Sequence, residues 1–171
     1  AMNFALAYPY MINKLVVIDI SPRAYPVRQI HNDIIQAMES VNFDEVDYRQ
    51  DVEEKLKSKI PSERLRLFIM KNLYRVNRGR LGWRINLKDL ADNMDSITDS
   101  LLYDSMFPGQ TLFIRGSESD YITEDDEDLI LDYFPNAYIE TIEGASHWVH
   151  ADAPDELCKL LTSFLGKECV L

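Results

Sequence analysis

The chain has 171 residues and a mass of 19.9 kDa, the size of one ordinary domain. Hydrophobic residues make up 46% and charged residues 27%, a globular composition rather than that of a disordered tail. The formal charge is −11, from 18 Lys and Arg against 29 Asp and Glu, which repels phosphate and argues against nucleic acid or an anionic membrane as partner.

No apolar run of about 18 residues is present to span a bilayer. The two cysteines, Cys158 and Cys169, form neither a CxxC pair nor a disulfide framework, and a reducing, cytoplasmic setting is expected. The cysteines form no metal cluster and the acidic runs lack a calcium-loop pattern; neither a metal nor an organic cofactor is expected for the chemistry that the resemblance described below implies.

The first residues, AMNFALAYP, read as the end of a helix stopped by Pro9. Lys14 to Ile20 is a continuous, β-branched run, the pattern of a strand buried on both faces of a parallel sheet. Asp19 lies at its carboxyl end, where a carboxylate is costly without a partner. Residues 23–105 read as a mainly helical insert. Helices are expected over Val27–Val41, Asp44–Lys59 and Leu65–Tyr74, the last capped by Ser62. A hairpin or extended turn is expected over Arg75–Asn86, and a short helix from Leu87 to about Met94.

Strand character returns at Thr111–Arg115. Thr123 caps a helix running to about Tyr133, with acids in its first turn. Ala137–Ile142 is the third strand, Gly144–His150 a loop, and Asp152 with Pro154 opens a last helix to about Leu165. The order is α/β with a three-stranded parallel sheet. The core is expected over 1–22 and 106–171, interrupted by the helical cap.

Ends of parallel strands are where α/β proteins assemble sites. Three strand ends carry polar groups here: Asp19, the Ser117–Asp120 loop and His147. A histidine and a carboxylate meeting there would make a general base and the acid that orients it.

Three stretches carry a resemblance to the α/β-hydrolases, in particular to the small capped esterases and acyl-thioesterases with a GHSMGG nucleophile elbow. They are AMNFALAYP with KLVVIDISP, LFIRGSESDYI, and IEGASHWVHADAPDEL. The last is the most specific. The resemblance implies the C-terminal part of that fold, a cap inserted after the first of the three strands, and hydrolysis of a carboxylic ester or acyl thioester. It implies His147 as the base.

For the acid it offers two positions. Most of the superfamily places it three residues after the glycine ending the penultimate strand, which here is the neutral Ser119, with Asp120 adjacent. The small esterases place it at Asp19, and IDISP matches them. Asp19 is preferred, with Asp120 as the alternative.

The nucleophilic serine of G-x-S-x-G does not occur in these residues. The family's spacing puts it about five positions before Ala1, in an N-terminal half that the complete protein is expected to have. A non-catalytic binding protein on the same fold, or an Asp-nucleophile relative of the epoxide hydrolases and dehalogenases, stands as the alternative.

Within the insert, Lys71, Arg75, Arg78, Arg80, Arg84 and Lys88 occur with no acid between them, and Tyr74 and Trp83 lie among them. One reading is a solvated hairpin paired with the acidic Asp44–Glu54 segment. The other makes Arg78 and Arg80 a site for substrate phosphates such as those of coenzyme A. Trp83 and His31 are candidate pocket residues. Ile30, Ile34, Phe68, Leu73 and Trp83 are expected on the inner side of a lid. The acidic stretch Glu118–Asp128 reads as a solvated helix start.

Overall fold

A computed structural model describes residues 1–26, 29–76 and 79–166. In chain order the elements are α1 (Met2–Ala7), β1 (Lys14–Ile18), α2 (Gln29–Glu39), α3 (Arg49–Lys57), α4 (Glu63–Met70), β2 (Leu73–Arg75), β3 (Leu81–Trp83), α5 (Leu87–Asp92), α6 (Met94–Thr98), β4 (Gln110–Gly116), α7 (Glu127–Tyr133), β5 (Ala137–Ile142), α8 (Val149–Asp152) and α9 (Pro154–Leu165). They fall into two compact units, one of residues 1–24 with 100–171 and one of residues 25–99.

The first unit is a parallel sheet in the order β1-β4-β5. Val16 pairs with Leu112, and Phe113 with Ile139. Both faces of this sheet are covered, which explains its nearly unbroken apolar strands. On one face Leu15, Val17 and Phe113 pack with Ala5 and Leu6 of α1 and with Ile130 and Phe134. On the other, Leu112, Ile114 and Ile142 pack with Ala145, Val149 and Leu157. The Phe113 and Phe134 rings meet edge to face at 5.4 Å, the arrangement that aromatic quadrupoles favour. This core, a parallel sheet covered on both faces, has the α/β class and strand number expected from the sequence.

Both ends of the inserted segment are tied. Tyr25 N–H donates to Thr98 O at 2.7 Å, and Leu101 N–H donates to Pro22 O at 3.3 Å. The returning chain then runs along α1, where Leu102 N–H donates to Asn3 Oδ1 at 2.8 Å, before entering β4.

The second unit is helical with one antiparallel hairpin, β2 against β3. Its core joins Ala37 and Met38 of α2, Val52 and Leu56 of α3, Ile69 and Met70 of α4, and Leu73 and Leu81 of the hairpin. Ser62 caps α4 by accepting from Leu65 N–H at 3.3 Å. Two boundaries differ from the sequence expectation. The second helix starts at Arg49 rather than Asp44, because Asp51 Oδ2 accepts from Tyr48 N–H at 2.9 Å and fixes the first turn there. The third ends at Met70 rather than Tyr74, because Leu73 and Tyr74 pair with Trp83 and Gly82 across the hairpin. Leu73 is therefore core, 8% exposed, and not a pocket wall, whereas Ile30 and Phe68 are exposed.

Candidate active site

β1 ends at Ile18, and Asp19 adopts a positive φ of 50°. Asp tolerates this left-handed conformation better than a β-branched residue would. The turn carries the carboxylate back over the sheet end. Asp19 N–H still donates to Ile114 O at 2.7 Å, while its Oδ1 accepts from Gly116 N–H at 3.1 Å. The side chain is fully buried, and these bonds offset the cost of burying it.

His147 follows β5 on the Glu143–Trp148 loop. That loop is closed by Asp152, whose Oδ2 accepts from Ser146 N–H at 3.0 Å and from the Ser146 hydroxyl. Asp152 is the last residue of α8, and the cap position of α9 belongs to Ala153. Its carboxylate thus serves the histidine loop, and the cap position of the last helix falls one residue later than the sequence reading puts it. The loop is also tied to the end of β4, where Glu118 N–H donates to Ala145 O at 2.9 Å and Gly144 N–H to Ser117 Oγ at 2.8 Å.

This places His147 Nδ1 2.7 Å from Asp19 Oδ2. With Nδ1 the donor to a carboxylate, the neutral ring carries its lone pair on Nε2, the tautomer a general base requires. The His147 side chain is 45% exposed against 1% for Asp19, so a buried acid holds a reachable imidazole. Tyr121 stacks on the ring, with centroids 3.8 Å apart and planes 17° from parallel.

Asp120, the alternative acid, is exposed, and its backbone carbonyl accepts from Arg23 Nη2 at 3.2 Å. Ser119, in the commoner acid position, donates its hydroxyl to Asp19 Oδ2 at 2.5 Å.

A buried carboxylate, Asp126, holds the loops after β1 and β4 together. Its oxygens accept from Ser21 Oγ (2.9 Å), Arg23 Nε (2.8 Å), Thr123 N–H (2.8 Å) and Thr123 Oγ1 (3.0 Å). Burial pushes its pKa up, but the Thr123 backbone, the two hydroxyls and the Arg23 charge outweigh that and hold it below the usual value. Asp126 is 3% exposed and is not part of a solvated acidic run.

The other sequence candidates belong to the helical unit. Trp83 donates its indole N–H to Met38 O at 2.9 Å and meets Phe43 edge to face, so its polar atom is committed within that unit. His31 is half-buried on α2. Arg80 pairs with Asp44 at 2.7 Å, Arg75 donates to Gly79 O, and Arg84 lies over the Tyr74 ring. Arg78 lies outside the described residues. Arg75, Arg80 and Arg84 are thus each engaged within their own unit.

Among the described residues no three His, Cys, Asp or Glu groups gather in a way that could hold a metal ion. No helix among them is long and apolar enough to cross a membrane.

The sequence reading includes the Ser117–Asp120 loop among the candidate strand ends but gives Ser119, Tyr121 and Asp126 no role of their own. The spacing after Gly116 pointed to Ser119, but its neutral side chain gave no reason to connect it with Asp19.

No family model matches the chain. It is 36% identical to an sn-1-specific diacylglycerol lipase, ABHD11, of Danio rerio over 169 residues, covering 96% of this chain and 53% of that protein. It is 32% identical to esterase YbfF of Escherichia coli over 155 residues, covering 91% of this chain and 58% of the relative. Among solved structures, a marine microorganism esterase superposes with a TM-score of 0.90 at 36% identity, covering 96% of this chain and 65% of that one. The chain spans about half the length of the curated relatives it matches.

Proposed function

Since the chain belongs to the α/β-hydrolase esterase family, we propose that it supplies the acid and the base of a serine-dependent carboxylic-ester hydrolase. The observation that carries this reading is the 2.7 Å contact between His147 Nδ1 and the buried Asp19 carboxylate at neighbouring strand ends. The catalytic serine belongs to the remainder of the protein, since G-x-S-x-G is absent from these residues.

In the reaction, His147 Nε2 takes the serine proton as the hydroxyl oxygen attacks the acyl carbonyl. The resulting imidazolium is stabilised by Asp19 and returns the proton to the departing alcohol. A water then attacks the acyl-enzyme with the same base, releasing the acid and restoring the serine. Asp19 also fixes the ring orientation, so Nε2 rather than Nδ1 meets the nucleophile.

Three further features belong to the same proposal. The substrate is a small ester or acyl thioester. The 25–99 unit, inserted in the chain between β1 and β4, is the helical cap of this reading. The two cysteines fit a reducing, cytoplasmic setting.

β1 has one partner strand among the described residues, β4. Ile18 at the end of β1 and Ile20 just beyond it are 40% and 38% exposed. An unprotected apolar edge of this kind calls for another strand, which the N-terminal half would provide.

The test is covalent labelling of the full-length protein with a fluorophosphonate, followed by peptide mapping. The label should fall on a single serine of the N-terminal part, and His147→Gln should slow labelling by at least 100-fold, on the order expected for loss of the base. Labelling of a serine within these 171 residues, or labelling unaffected by His147→Gln, contradicts the proposal. No phosphonate adduct but an ester formed from an epoxide would point to an Asp nucleophile. Neither adduct would point to a binding protein.

A further inference from the structure

We propose that the outer edge of β5 is a self-association surface. A second copy of the chain adds its own β5 there, antiparallel, and the two sheets join across a twofold axis at Ile139. The pairing does not involve the His147–Asp19 site.

The sheet order β1-β4-β5 leaves β5 with one partner strand among the described residues. Thr111 N–H donates to Asn136 O at 3.4 Å, and Ser117 N–H donates to Ile142 O at 3.0 Å. The even-numbered residues of β5 thus turn their backbone groups toward β4, and those of Ala137, Ile139 and Thr141 point away from the sheet. Ala137 N–H is already used, donating to Phe134 O at 2.9 Å. The N–H groups of Ile139 and Thr141, and the three carbonyls, are left to be paired.

Sheet edges are commonly blunted with Lys, Pro or a bulge. Ala137–Ile142 holds neither Lys nor Pro, and its register with β4 runs unbroken from Ala137 to Ile142. Its single charge is Glu140. Glu140 and Tyr138 lie on the α9 side of the sheet, where they line a groove of about 320 Å³ with Leu160 and Phe164. Tyr138 is 59% exposed.

These groups select one register. Centred on Ile139, each Ile139 N–H meets the carbonyl of the partner's Ile139, and each Thr141 N–H meets the carbonyl of the partner's Ala137. Tyr138 then lies opposite the partner's Glu140, where the phenol can donate to the carboxylate. Centred on Glu140, the two carboxylates would stand directly opposite each other, which is destabilising. Centred on Tyr138, each Thr141 would face the partner's Pro135, which has no N–H to give. Glu140 therefore acts as the register selector of an otherwise unguarded edge.

The contact is isologous and uses one edge of each copy. With the outer edge of β1 assigned to the N-terminal half, it closes at a dimer and does not grow into a fibre. A strand of six residues is only about 20 Å long, so association is expected with a Kd of about 1–50 μM.

The test is sedimentation velocity of the full-length protein from about 1 to about 200 μM, with thermal unfolding and kcat on p-nitrophenyl acetate as controls for the fold. Wild type should pass from monomer to dimer over that range. Tyr138→Glu sets a carboxylate opposite the partner's Glu140 at both ends of the contact and should weaken association about tenfold or more. Adding Glu140→Lys restores opposite charges and should bring the Kd back to within about threefold of wild type. Ile139→Pro deletes the central N–H, which bonds nothing in its own sheet, and should abolish the dimer. Both Tyr138 variants change an exposed side chain and should keep wild-type kcat, so they decide the matter even if Ile139→Pro fails to fold.

A wild type that stays monomeric at the highest concentration overturns the proposal, including the case in which the edge serves a different protein. So does a dimer that Tyr138→Glu leaves unchanged, or a folded double variant that fails to recover association.

Discussion

Gly116 offers a perturbation whose effect can be worked from distances. A Cβ at this position would lie 2.2 Å from Ala145 O, 2.6 Å from Ser146 O and 2.8 Å from Ala145 C. All three obstacles are backbone atoms, so no side-chain rotation relieves them. An ordinary carbon–oxygen contact is about 3.3 Å, so the 145–146 segment must retreat by about 1 Å. His147 is the next residue. Moved by that amount along the contact, its Nδ1 would go from 2.7 Å to about 3.7 Å from Asp19, past the limit of a hydrogen bond.

Gly116→Ala in the full-length protein should therefore lose about 100-fold in kcat on p-nitrophenyl acetate, and about 1–3 kcal/mol of stability from overpacking. The assay pairs initial-rate kinetics with thermal unfolding. Gly144→Ala is the control. Its φ is +71° with nothing within 4 Å of the added Cβ, so it should cost about 1–2 kcal/mol of backbone strain and leave kcat within a few fold. A Gly116→Ala enzyme with wild-type kcat, or Gly144→Ala falling as far in kcat, would refute the reasoning.

Asp126→Asn should lower stability by about 1–3 kcal/mol at neutral pH, because an amide NH₂ must face donors on one side. The folded pKa of Asp126 lies below its ordinary value of 3.8, so its contribution is complete above that value and is lost as pH falls through the folded pKa. Unfolding curves of wild type and Asp126→Asn should converge in that acid range, and a constant gap down to the lowest pH would count against the assignment. On the phosphate-site reading of the hairpin, Arg78→Glu with Arg80→Glu would raise KM for an acyl-CoA about two- to fivefold, less at high salt, as exposed charge contacts do, whereas a solvated hairpin predicts no change. The neutral p-nitrophenyl ester should be unaffected, and equal effects on both substrates would show that the hairpin acts structurally.

The sheet was legible because its strands are covered on both faces. Leu15–Ile18 and Thr111–Ile114 carry the apolar runs such strands need, whereas Ala137–Ile142 includes Glu140 and Thr141 and buries only Ile142. The meeting of Asp19 with His147 was legible in part from the rule that parallel strand ends converge, and more firmly from the IDISP and GASHWVHADAP stretches.

The boundaries in the helical unit were less legible. Leu73 and Tyr74 fit a helical period locally but gain strand partners across the chain. The long-range roles of single polar residues were not legible. Asp126 reads as one acid among many in Glu124–Asp128, and its burial depends on Ser21 and Arg23, more than 100 positions earlier. Ser119 bonds a carboxylate 100 positions earlier in the chain, a partner that its own sequence neighbourhood does not announce. Asp152 sits where a helix cap is expected, and its bond to Ser146 on the histidine loop is not announced by that position.

The central claim is that Asp19, and not Asp120, is the acid paired with His147. The most direct test compares kcat/KM on p-nitrophenyl acetate for full-length Asp19→Asn and Asp120→Asn at neutral pH. Asp19→Asn should lose about 10³–10⁴, as expected when the base is left in the wrong tautomer, while Asp120→Asn stays within about twofold of wild type. The reverse order, with Asp120→Asn crippled and Asp19→Asn active, would contradict the account.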